Sequence, residues 1–163
     1  MSTKVVKTGI ALPLLLSVLL TACASTTPDT LRTTAAHTLS LTQVQEQPAN
    51  YIGMPLRWGG VIIEIENLPQ RTRLVIVARR LYSNARPITE DRSEGRFIVD
   101  FDHFLDPSIY AISRNITVLG TLVGIEQREL GQMHYRYPVV RADSHHLWPK
   151  TEPPHEDDIF YDP

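Results

Sequence analysis

The chain carries a single cysteine, Cys23, and this limits how any fold it adopts can be held together. No intramolecular disulfide can form, so packing alone must do it, even in an oxidising compartment. The cysteine also stands at the end of the only strongly apolar run. Lys4 and Lys7 make a short positive start, and Ile10 to Leu20 is apolar apart from Pro13 and Ser17. Small residues follow at Ala22, Cys23, Ala24 and Ser25. That order of zones makes residues 1–22 a secretory signal peptide. The apolar run is too short for a transmembrane helix, which takes about 20 residues to cross about 30 Å of hydrocarbon.

Leu20-Thr21-Ala22-Cys23 resembles the lipobox of bacterial lipoproteins. The resemblance implies that the Cys23 thiol receives a diacylglycerol, that the chain is cut before it, and that the new amino group is acylated as well. Cleavage after Ala24 is the alternative, because Ala22-Cys23-Ala24 also reads as A-x-A. It would leave a soluble periplasmic protein with no cysteine. A leucine three places before a solitary cysteine favours the lipobox. One acyl chain holds a protein only marginally, at about 0.8 kcal/mol per buried methylene, whereas two or more hold it stably. Ala24 stands where an aspartate would suggest retention in the inner membrane. By resemblance to sorted lipoproteins, this implies a lipid-anchored, periplasm-facing protein of the outer membrane.

The expected mature chain, residues 23–163, is one domain's worth of sequence. Removing Lys4 and Lys7 from the 16 basic residues leaves 14 against 18 acidic ones. This mildly acidic balance argues against nucleic acid as a partner, which would want a basic face. Residues 23–38 are Ser, Thr, Ala and Pro with few large apolar groups, and read as a lipidated flexible tether. Residues 150–163 hold Pro153, Pro154, Pro163 and five carboxylates, and read as a loosely attached acidic tail.

The domain between them, residues 39–149, reads as mainly β. Ser40 is a plausible N-cap for a short helix over Leu41 and Val44, Pro48 begins another turn, and Gly53 leads into the first strand. Tyr51 and Ile52 are expected to pack on the domain. Strands are expected at Leu56–Ile65, Arg73–Tyr82, Arg96–Phe101, Asn115–Glu126 and Met133–Ala142. Asp106-Pro107 marks a short helix, with the Asp as N-cap and the Pro at its first position. Gly59-Gly60 inside a strand signals a bulge or a sharp bend, as at a barrel corner. Pro138 suggests an edge or a strand break, and Leu147 and Trp148 are expected to cover one barrel end. Three strands, a helix and two strands is the order of a small five-stranded OB-like antiparallel barrel. An open antiparallel sheet with helices on one face is the alternative.

Several stretches then carry a resemblance. Asn50-Tyr51-Ile52-Gly53, Leu56 to Ile62, Phe104-Leu105-Asp106-Pro107 with Tyr110, Ile116 to Gly124, Tyr135 to Val140, and His146-Leu147-Trp148-Pro149 resemble, in order, the Slp family of outer-membrane lipoproteins. One departure is Ala111-Ile112-Ser113-Arg114, where members commonly carry a glycine before the arginine. The acidic tail after Lys150 has no counterpart in it. The resemblance implies an envelope protein and supplies no reaction.

Chemistry has few candidates. The chain shows no Gly-x-Ser-x-Gly elbow, phosphate-cradling glycine loop or His-Glu-x-x-His. Asp100, Asp102, His103 and Asp106 are close in sequence, but two end a strand and one caps a helix. His145 and His146 are adjacent, so in a strand they point to opposite faces and do not easily share a metal. His146 with His155 and a carboxylate would be a metal site; a solvated terminus beside Trp148 is the plainer reading. No metal, cofactor or enzymatic activity is expected. The expected role is a structural or interaction module with an envelope protein or glycan as partner. The alternative is a ligand-binding module in which Arg57, Trp58, Tyr135 and Tyr137 line one barrel face, the use OB barrels make of such a face for oligosaccharides. Against it, Trp58 and the tyrosines could instead fill the core or cover a barrel mouth.

Overall fold

The computed structural model describes residues 39–150. Residues 1–38 and 151–163 lie outside that range, and with them Cys23, the signal peptide, the tether, His155 and all of the acidic tail but Lys150.

The described chain opens with α1 (Leu41–Glu46). Ser40 and Gln43 cap it reciprocally: the Ser40 hydroxyl accepts from the Gln43 amide, and the Gln43 side chain accepts from the Ser40 amide, both at 3.2 Å. This satisfies two of the amides a helix start leaves without partners. Pro48 then starts a 3-10 turn through Asn50, and Gly53 takes a φ of +83° to turn into the sheet. Tyr51 packs on the core as expected, whereas Ile52 is exposed.

Five strands follow: β1 (Pro55–Leu68), β2 (Arg71–Arg79), β3 (Arg96–Phe101), β4 (Asn115–Leu130) and β5 (Met133–Leu147). They close into a barrel in the order β1-β2-β3-β5-β4. Every pairing is antiparallel except β3 with β5. This is the closed five-stranded Greek-key arrangement of the OB fold, as the order of elements in the sequence suggested. Val139 pairs with Ile98 at the start of the parallel contact, one place after Pro138. Pro138 thus sits where β5 is only just gaining its second neighbour, a position that does not need its missing amide.

Three bulges set which residues face inward. Ile63 in β1, Val123 in β4 and Asp143 in β5 have no partner in the ladder, and alternation shifts by one at each. Leu56, Trp58 and Ile62 point inward before the first bulge, and Ile65 after it. Phe97, Phe101, Leu74, Ile76, Ile116, Val118, Leu122 and Val140 complete the interior, with Leu41 and Val44 of α1 packed against it. Gly60 permits the closure. A Cβ there would collide with the Val77 carbonyl oxygen of β2, so the double glycine marks close strand approach, and the bulge itself comes at Ile63.

Two expectations are corrected. Residues 107–110 form a single turn and no helix. Asp106 still accepts from the Ile109 and Tyr110 amides through its carbonyl, and its Oδ1 accepts from Ser108 at 2.8 Å. Trp148 does not close a barrel end but packs outside β4, where its Nε1 donates to Thr117 Oγ1 at 2.9 Å. Thr117 in turn donates to the Ala85 carbonyl at 2.6 Å, so Trp148 helps to pin the loop that joins β2 to β3.

Candidate functional site

A cleft of about 430 Å3 opens where Leu39 and Ser40, β1 and the β2–β3 loop meet. Its walls include Arg57 and Trp58 of β1, Arg79 and Arg80 at the end of β2, and Tyr82 and Glu94 of the loop. The lining thus includes three arginines and one glutamate. The loop that carries Tyr82 is ordered by its own backbone: the Tyr82 amide donates to the Arg86 carbonyl and the Ala85 amide to the Tyr82 carbonyl, both at 2.8 Å. Thr117 and Trp148 hold it from below, and the Arg86 guanidinium lies 5.8 Å over the Trp148 ring. Arg79 spends one N–H on the Arg92 carbonyl at 2.6 Å, which fixes its direction. Tyr82 is 54% exposed.

The outer face of β2 and β3 is built differently. Arg73 Nε and Nη2 donate to the two carboxylate oxygens of Asp100 at 2.7 and 2.9 Å, and Nη1 donates to Glu126 at 2.8 Å. Arg128 Nε donates to the other Glu126 oxygen at 2.6 Å. The Asp100 hydrogen bond, opposed by burial, raises the Arg73 pKa above its ordinary value. Burial pushes the Glu126 carboxyl up, but the Arg128 hydrogen bond and the two guanidinium charges outweigh it and leave the group below its usual range. Beside this network Val75, Ile98, Tyr137 and Val139 are buried together, with Ile63 and Tyr135 against them. OB barrels use their β2–β3 face for ligands; here its charges are paired and its apolar groups covered.

The four residues expected on one face do not converge. Trp58 is inside the barrel, edge-on to Phe97 at 5.2 Å, with its Nε1 donating to the Leu39 carbonyl at 2.7 Å. Arg57, its neighbour in the pleat, lies on the opposite face of β1, and both border the cleft. Tyr135 and Tyr137 point outward from β5, with β4 between them and β1. Their rings meet at 4.7 Å, and the Tyr135 hydroxyl accepts from the Arg96 amide at 2.8 Å. Sequence reasoning found two of the cleft's residues and missed Arg79, Arg80 and Tyr82. Their signal, two arginines and a tyrosine at the end of a strand, is common to many strand ends.

The histidines form a second cluster. His145 points inward against Phe101 at 5.0 Å, and its Nε2 lies 2.7 Å from the Tyr110 hydroxyl. His103 stacks on it at 6.3 Å and bonds Asp102 at 2.9 Å through Nδ1. Burial, with His103 and His146 nearby, pushes the His145 pKa down, and burial raises that of Tyr110. His146 faces the other way, onto Trp148 at 4.4 Å. Among the described residues no group of three or more His, Cys, Asp or Glu side chains is placed to hold a metal ion.

Comparison with known proteins bears on the whole chain. The family described as "Outer membrane lipoprotein Slp family" matches residues 20–163. The chain is 29% identical over 137 residues to the uncharacterized lipoprotein YeaY of Escherichia coli strain K12, covering 83% of this chain and 70% of that one. It is 32% identical over 140 residues to the outer membrane protein Slp of the same organism, covering 85% and 73%. Among solved structures, a small single-stranded DNA-binding protein from Streptomyces coelicolor matches with a TM-score of 0.37 and 16% identity, over 58% of this chain and 94% of that one. A likeness of that size says nothing about a ligand.

Proposed function

The chain belongs to the Slp family of outer membrane lipoproteins, and on that premise we propose a lipid-anchored module with a non-catalytic interaction role in the envelope. Cys23 carries the acyl chains, residues 23–38 tether, and the barrel of residues 39–149 faces the periplasm. One observation carries this reading. The family match begins at Leu20, three places before Cys23, and continues through the barrel, so one pattern takes in both the anchor stretch and the domain. The non-catalytic part is supported by where the titratable groups are engaged: Asp100 on Arg73, Asp106 on its own turn, and His145 on Tyr110.

Fractionation of cells tests the reading. Wild type should sediment with outer membrane and resist added protease in intact cells. Cys23→Ser should leave that fraction. A wild-type protein recovered in the soluble periplasmic fraction would overturn the anchor. The second reading, a ligand-binding module, is favoured by the cleft at Arg57 and Trp58 and not by Tyr135 and Tyr137, whose rings are spent on each other and on the β3 side of the barrel.

A further inference from the structure

We propose that the outer edge of β4 from Gly124 to Leu130 pairs with the same edge of a second copy of this chain, antiparallel about a two-fold axis at Gln127. This rests on the interaction reading above and names a partner for it.

β1 runs beside β4 only from Pro55 opposite Thr121 to Val61 opposite Asn115. Leu122 adds a last link, its amide donating to the Met54 carbonyl at 3.1 Å and its carbonyl accepting from the Gly53 amide at 2.8 Å. Beyond it β4 continues to Leu130 with β5 as its only strand neighbour among the described residues. Two contacts show which amides point off that edge. The Gln45 side chain of α1 donates to the Arg136 carbonyl at 2.8 Å, so that carbonyl is turned away from β4. Gln127 stands opposite Arg136 and is therefore turned outward too, because facing residues of an antiparallel pair exchange both bonds or neither. The bulge at Val123 gives the same phase from the other side. Leu122 faces outward, and one extra residue carries the outward set to Ile125, Gln127 and Glu129. Pro138, which has no amide to give, stands opposite Ile125 in that set.

Gln127 and Glu129 are exposed. Charges along an edge usually blunt pairing; here their order selects one register. Centred on Gln127, antiparallel self-pairing sets Ile125 opposite Glu129 and Glu126 opposite Arg128, each twice by symmetry. The outward groups of Ile125, Gln127 and Glu129 then exchange about six backbone hydrogen bonds. Moving the centre by one residue keeps the outward amides matched but puts Glu126 against Glu126 or Arg128 against Arg128, and like charges directly opposite are destabilising. Glu126 and Arg128 keep their bond to each other within the chain. The seam needs unlike charges across it and not free ones. β1 past Val61 also runs beyond its pairing with β4, but there self-pairing about Ile65 would set Glu64 against Glu66. The product is a continuous sheet in the order β5-β4-β4-β5, which is better held than two separate two-stranded ends.

The test uses the full-length protein purified from membranes in neutral detergent. Analytical ultracentrifugation should show a concentration-dependent equilibrium between monomer and dimer. Gln127→Cys places a thiol opposite its own copy, at the roughly 5.5 Å Cα separation of a bonded antiparallel pair, which a disulfide can span. On mild oxidation it should cross-link to a dimer. Glu129→Cys and the loop variant Thr89→Cys, both at exposed positions, should not. Cys23 is common to all three, so its own chemistry cancels in the comparison. Gln127→Pro removes the outward amide without removing a bond to β5, and should lower the dimer fraction roughly tenfold or more. Gln127→Glu sets charge against charge at the axis. It should weaken association about fivefold with an unchanged circular dichroism spectrum. Cross-linking of Gln127→Cys no greater than that of Thr89→Cys overturns the proposal, as does a wild type that stays monomeric or an association that both Gln127→Pro and Gln127→Glu leave intact. Slow hydrogen exchange at Ile125, Gln127 and Glu129 in a monomer would overturn it as well, because another segment of the same chain would then cover the edge. None of these results bears on the anchor, which cell fractionation reads separately.

Discussion

The outer face of β2 and β3 and the cleft beside β1 are both rich in arginine, and they place it differently. On the first, Arg73 spends three N–H donors on Asp100 and Glu126, and Arg128 takes the remaining Glu126 oxygen. Each charge is answered within the fold. In the second, Arg57, Arg79 and Arg80 border a concavity with one carboxylate among its walls. The lesson concerns fold and function: an OB-like barrel does not fix where a ligand sits. Here the face that such barrels ordinarily offer is filled with ion pairs and with Tyr135 and Tyr137.

Breaking the element common to barrel and cleft should have the largest effect. Trp58 packs edge-on to Phe97 inside the barrel and bonds the Leu39 carbonyl at the cleft wall. Trp58→Ala should cost about 3–5 kcal/mol by chemical denaturation. Trp58→Phe, which keeps most of the packing and loses the hydrogen bond, should cost about 1 kcal/mol. Next comes the paired face. Arg73→Met leaves Asp100 and Glu126 facing each other without their shared cation, and should cost about 2 kcal/mol by chemical denaturation. A cost as large as that of Trp58→Ala would dissolve the distinction between a core contact and a surface network.

Acid should separate the regions further. The Glu126 carboxyl titrates below its usual range in the folded protein. Its contribution is therefore present above the unfolded value of 4.5 and is lost as pH falls through the lower folded one. His145 is also depressed, by burial first, so the folded state favours its neutral form and loses stability as pH falls below the unfolded value of 6.5. Urea midpoints should thus decline in two stages. His145→Gln should flatten the upper stage and Glu126→Gln the lower. A smaller effect, outside both regions, calibrates the rest. Ser113 adopts a φ of +72°, in the left-handed region that favours glycine. Ser113→Gly should stabilise the protein by about 0.5–1 kcal/mol, readable as a raised thermal midpoint.

Much of the fold was legible because local chemistry and global architecture agree. Ser40, Pro48 and Gly53 act where their backbone preferences suggest, and β3 has the bounds its apolar run implies. The double glycine signalled closure, which Gly60 makes possible. The end of β4, Gln127 to Leu130, was not legible because it is mostly polar with little apolar pattern, and β5 runs on past Ala142 to Leu147 through Asp143, Ser144 and two histidines. The grouping of Trp58 with Tyr135 and Tyr137 failed for the same kind of reason. Sidedness depends on bulges at Ile63, Val123 and Asp143, and these are set by register between strands far apart in the chain. The cleft's remaining residues lie in a stretch that reads as an ordinary polar loop. Its shape comes from Thr117 and Trp148, which are 32 and 31 residues away from their respective partners Ala85 and Thr117.

The most direct test of the contrast between the two faces is amide hydrogen exchange of the full-length protein beside Arg73→Met. The account predicts faster exchange in the variant over Thr72–Val75 and Ile98–Asp100, with no change over Arg57–Trp58 and Arg79–Ser83. Faster exchange confined to the cleft, with the β2–β3 face unchanged, would contradict it.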